Sequence, residues 1–69
     1  RSSNMKYIIH YSTGYTFRFF SKSVLGAKQE AMKKAAADFF NNKQNYICIY
    51  QFDAMLPLAT RNYKGWTNH

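Results

Sequence analysis

Side chains able to make or break bonds are scarce in this chain. Its acids are Glu30, Asp38 and Asp53, its imidazoles His10 and His69, and its one thiol Cys48. Two-carboxylate hydrolysis needs a pair of acids flanking one bond. Glu30 and Asp38 instead fall on a predicted helix and Asp53 in a predicted turn. One cysteine and two histidines show none of the spacing of a zinc site, so no metal is expected. Cys48 stands in an apolar run, whereas a reactive thiol wants an accessible, electropositive setting, so its reading is structural. His10 reads as a residue of a sheet surface. Gly14, Gly26 and Gly65 are isolated and form no phosphate-cradling loop. The expectation is a protein that is not an enzyme and takes no cofactor.

What the chain does carry is cations and rings. Ten Lys and Arg stand against three acids, for a net charge of +7, and 19% of the residues are aromatic. Bases stack on aromatic side chains while cations hold phosphates. A nucleic-acid partner, DNA or RNA, is therefore expected, bound through phosphates with little base specificity. Lys6, Arg18 and Arg61 are the candidate cations of a sheet face. Lys33 and Lys34 add to them only where the nucleic acid reaches a helix. Phe20, Tyr63 and Trp66 are the candidate stacking surfaces, with Lys64 between the last two. The plainer alternative is that the lysines are solvated and the rings complete a core. An acidic surface on a protein partner would answer the same charge through electrostatic steering. A homodimer is a third alternative.

These residues need elements to position them. Lys6–Tyr11 and Tyr15–Phe20 are rich in β-branched and aromatic residues and predict two strands, with Ser12-Thr13-Gly14 as the turn. Alternation places Tyr7, Ile9 and Tyr11 on one side, joined by Tyr15, Phe17 and Phe19. Lys6, Ile8 and His10, with Thr16, Arg18 and Phe20, take the other. Ser23 is the predicted N-cap of a helix from Val24 to Phe39. Its apolar arc is Val24, Ala27, Ala31, Met32, Ala35 and Phe39, with Lys28 inside it by angle. Asn41-Asn42 suits the helix end. Asn45–Phe52 is apolar on both faces, which suits a central strand. Leu56–Tyr63 predicts a fourth strand, which Pro57 restricts to a start or an edge, with Arg61 and Tyr63 extending the cationic face. Lys64–His69 is expected to be an irregular tail.

The expected fold is α+β, in the order β-β-α-β-β: one mainly antiparallel sheet with a single helix packed on one face. That leaves the other face open. The 69 residues suffice for one small domain. No apolar run approaches the ~18 residues of a membrane span, and no membrane partner is expected. The lone thiol fits a reducing cytoplasm. Met5 is expected to be the natural initiator, with Arg1–Asn4 a remnant or disordered.

The run Lys22-Ser23-Val24-Leu25-Gly26-Ala27-Lys28-Gln29-Glu30-Ala31 follows a Tyr-rich hairpin. It resembles small, uncharacterised proteins of tailed bacteriophages and prophages. Leu58-Ala59-Thr60-Arg61, followed by Trp66-Thr67-Asn68, is similar to their C-terminal pattern. The resemblance implies a mobile-element origin and the cytoplasm of a bacterial host, and it makes an acidic host protein, inhibited or modulated by contact, the partner of the protein-binding alternative. It supplies no catalytic residue.

Overall fold

The computed structural model describes residues 4–69. Arg1–Ser3, most of the expected remnant, lie outside the described residues. The chain forms β1 (Met5–Tyr11), β2 (Thr16–Ser21), α1 (Val24–Lys34), a 3₁₀ turn (Phe39–Asn41), β3 (Ile47–Gln51), β4 (Ala59–Asn62) and β5 (Gly65–Asn68). The strands make one sheet in the order β2-β1-β3-β4-β5. Every neighbouring pair is antiparallel. The α+β architecture is the expected one, with one strand more than the sequence suggested.

Connectivity explains the two-layer form. β2 and β3 both pair antiparallel with β1, so they run in the same direction on either side of it. Chain leaving one and entering the other must travel back along a face, which is the crossover a helix provides. α1 makes that return and packs on β1, β2 and β3. The remaining links are turns and loops at the two ends of the sheet, so the second face keeps no cover.

Burial follows the alternation. Tyr7, Ile9, Tyr11, Ile47, Ile49 and Ala59 point toward the helix and are buried, as are Ala27 and Ala31 of the helix itself. Ile9, Ile47 and Ile49 are the largest side chains completely enclosed. Small alanines on the helix let it approach the sheet, and the sheet supplies the volume. Ser23 caps the helix as expected, its side chain accepting from the Gly26 N–H at 3.3 Å. Tyr15 departs from the expected core set: it precedes β2 and is 55% exposed.

Three boundaries differ from the sequence reading. The helix stops at Lys34 rather than Phe39, because Ala35 takes an extended ψ of 144°. The exit lets Phe39 fold back edge-on to Tyr11, ring centroids 5.7 Å apart. Asn45 Nδ2 then donates to the Phe39 carbonyl at 2.8 Å. Phe39 and Phe40 both pack on the core this way; two rings at about 1.5–3 kcal/mol each when buried outweigh the helix propensity of three alanines, at most about 0.7 kcal/mol each. The fourth strand is shorter than Leu56–Tyr63: Leu56 lies in the preceding loop, 77% exposed. The tail is not irregular. Tyr63-Lys64 is a tight link, Gly65 adopts φ 136°, and Gly65–Asn68 pairs with β4 as an edge strand. A positive φ of this kind favours glycine, which has no Cβ to clash.

Candidate nucleic-acid interface

The uncovered face is built in rows across the sheet. Lys6 is opposite Phe20, Ile8 lies between Arg18 and Tyr50, and His10 between Thr16 and Cys48. Cys48 continues to Thr60, and Thr60 to Thr67. None of these residues is buried, and Phe20 is 58% exposed. No acid occurs in any strand; Glu30 is in the helix, Asp38 follows it, and Asp53 is in the turn after β3. The Lys6 ammonium lies 4.1 Å from the Phe52 ring centroid. A contact of this kind holds the cation in place and is worth about 0.5–1 kcal/mol at an exposed site. Among the described residues no cation covers Phe20. Beside it, Ile8, Thr16, Phe17 and Arg18 line a shallow hollow of about 370 Å³.

Electrostatics leave this charge uncompensated. The one ion pair among the described residues is Lys34 to Glu30, at 3.7 Å on the helix. Burial pushes the Cys48 thiol above its usual range, so the neutral form is favoured at neutral pH. His10 Nδ1 shares a 2.9 Å hydrogen bond with Thr16 Oγ1, and His69 Nε2 one of 3.0 Å with Thr60 Oγ1. No group of three or more His, Cys, Asp or Glu converges as a metal site among the described residues.

The nine sequence candidates do not converge on one surface. Lys6, Arg18 and Phe20 share the open face as expected. Arg61 does not join them, which corrects the expectation that it extends that face. It pairs with Ile47 and Trp66, and Ile47 is wholly buried on the helix side. Its guanidinium lies 4.9 Å from the Phe40 ring and its Nε donates to the Asn62 carbonyl at 3.0 Å. The β3–β4 register is the cause: it sets Arg61 opposite Ile47 and turns Thr60, opposite Cys48, to the open face. Trp66 is half-buried and packs against the core. Lys28 stacks on Trp66 at 5.4 Å and donates to Asn68 Oδ1 at 2.6 Å. Tyr63 sits at the β4–β5 turn beneath the ammoniums of Lys43 and Lys64, at 5.5 and 5.8 Å. Lys33 and Lys34 end the helix, and Lys34 lies 5.2 Å from Phe17. A second cation–ring cluster thus occupies the β4–β5 half of the helix side, its rings already covered by the chain's own cations.

Sequence reasoning missed Tyr50 and Phe52 on the open face and Lys28 and Lys43 in the second cluster. For Tyr50 the signal was present: Ile47 and Ile49 face the core, so Cys48 and Tyr50 must face away. For Lys28 and Lys43 there was none, since their ring partners lie 38 and 20 residues further along the chain. The chain matches no protein-family model, and no curated protein or solved structure is significantly similar to it.

Proposed function

We propose that the open sheet face binds single-stranded nucleic acid, without catalysis and with little base specificity. The observation that supports this most is an uncovered sheet face on which every formal charge is positive, flanked by an exposed ring that no cation covers. Lys6 and Arg18 hold phosphates. Phe20, with Tyr50 beside the hollow, supplies the stacking surface. Phosphate contacts position a strand and carry no sequence information directly, so affinity should vary little among mixed sequences. The rings of the second cluster are occupied within the protein, so Arg61, Tyr63, Lys64 and Trp66 take no base in this reading. They contribute positive potential, as do Lys33 and Lys34. The setting is that implied by the phage resemblance, a bacterial cytoplasm.

Fluorescence anisotropy with labelled single- and double-stranded oligonucleotides tests the reading. Arg18→Ala and Phe20→Ala should each weaken single-strand binding, while Arg61→Ala should leave it nearly unchanged. Absence of binding at low salt rejects the proposal. Loss of binding in Arg61→Ala with Arg18→Ala unaffected moves the site to the helix side.

A further inference from the structure

Exposed side chains divide by type along the molecule, whose longest dimension is 40 Å. β1 begins, β2 and β3 end, and α1 starts at the same end of the sheet. Met5, Phe20, Leu25, Phe52, Met55 and Leu56 are all exposed there, Met55 at 92% and Leu56 at 77%. The other exposed large hydrophobics, Tyr15, Tyr46 and Tyr63, lie at the opposite end, beside Tyr11 and Ile47 or the β4–β5 turn. Each of those carries a hydroxyl that water can satisfy. The apolar end has no such excuse.

Its tip is held in shape. The loop from Phe52 to Leu58 is pinned by Ala54 N–H to the Gln51 carbonyl at 2.9 Å and by Leu58 N–H to the Ile49 carbonyl at 2.7 Å. Asp53 takes φ 80° within it. Met55 and Leu56 therefore project from a tethered turn.

We propose that this end is where two copies of the chain join. Three observations select a second copy as the occupant. The first is area. Phe20 belongs to the open face and is left out; the other five side chains, exposed by 39–92%, leave roughly 600 Å² per protomer on a scale of ~150–250 Å² per large side chain. A pair would then cover about 1,200 Å², at the floor of stable interfaces. The second is charge. A body of +7 repels its own copy, and among the described residues this end carries Lys6 and Lys22 against Asp53. Pairing here brings the fewest like charges together and offers each lysine pair the other copy's Asp53. The third is the small core: among the described residues eight apolar side chains are buried, three of them alanines, and small domains without staples commonly gain stability by association. A two-fold pair of this kind is closed and stops at two. It leaves the β4–β5 turn and the distal lysines outward, and it does not rest on the nucleic-acid reading.

Sedimentation velocity of the full chain from 5 to 500 μM, at 100 and 500 mM salt, tests the proposal. The mass should rise from 8.1 kDa toward twice that value. The rise should be steeper at high salt, which screens the mutual repulsion. Met55→Glu and Leu56→Glu, both in an exposed loop, should each move the midpoint at least tenfold upward while circular dichroism stays unchanged. Lys43→Glu, at the other end, should not. A chain monomeric at 500 μM overturns the proposal. So does a dimer indifferent to both loop variants, or an apolar end that instead partitions onto anionic vesicles without self-association.

Discussion

Removing one phosphate contact at a time gives the sharpest test of the open face. Among the described residues, Lys6 and Arg18 are the formal cations its strands carry, set diagonally on adjacent strands. If both neutralise phosphates of a single strand, log affinity should fall with log salt at a slope of ~1.4, or ~0.7 for each. Raising salt from 50 to 200 mM then weakens binding about 7-fold in the native chain and about 2.6-fold in Arg18→Ala. If instead all nine cations of residues 4–69 wrapped the strand, the slope would be ~6 and the loss several thousand-fold. Phe20→Ala should lower affinity by ~1–3 kcal/mol, about 5- to 150-fold, without changing the slope, because a ring releases no counterions. Anisotropy with a labelled 12-mer at five salt concentrations measures both quantities. A slope near 6 in the native chain, or one unaltered by Arg18→Ala, refutes the assignment of binding to this face.

Four further outcomes follow from the packing. Ile49→Ala empties a wholly buried site on the central strand and should cost about 2–5 kcal/mol in chemical denaturation; a loss below 1 kcal/mol would contradict the core described. Gly65→Ala forces a side chain into φ 136° and should destabilise by about 1–3 kcal/mol, with amide exchange quickening first in β5. Tyr11, whose hydroxyl donates to the Ala31 carbonyl at 2.6 Å, has its pKa pushed up to about 12 by burial, with Tyr15 and Glu30 adding to it. Because the folded value lies above the unfolded one, its contribution is complete below pH ~10 and is lost as pH rises toward 12, by about 2–3 kcal/mol. Tyr11→Phe should be less stable at pH 7 and lose less between pH 10 and 12; equal alkaline losses in both chains would rule this out. Lys28→Met removes the cation over the chain's one tryptophan and should shift Trp66 emission while leaving the melting temperature within a few degrees; an unchanged spectrum would deny the contact.

Much of the architecture was legible in local pattern. The alternation of Tyr7, Ile9 and Tyr11 against Lys6, Ile8 and His10 identified both faces of β1, since a strand's period of two admits only two assignments. The alanines at 27 and 31 marked the buried stripe of α1, and Ser23 its cap. The double-sided apolar character of Asn45–Phe52 pointed to a central strand, and β3, Ile47–Gln51 within it, is the middle one of the sheet. Composition alone established the excess of cations over acids and the poverty of catalytic groups.

Other features were decided only when the chain closed on itself. The helix yields at Ala35 because Phe39 and Phe40 gain more by turning back onto the sheet than the alanines gain by staying helical. β5 exists because β4 offers it an edge, and Gly65 permits the turn that reaches it. Arg61 faces the helix side because the β3–β4 register, set by a loop whose length no local signal prescribes, places it opposite the buried Ile47. A one-residue difference in where that strand begins exchanges its faces. Residue types therefore determined which groups this protein has to offer, and long-range pairing determined which of them share a surface.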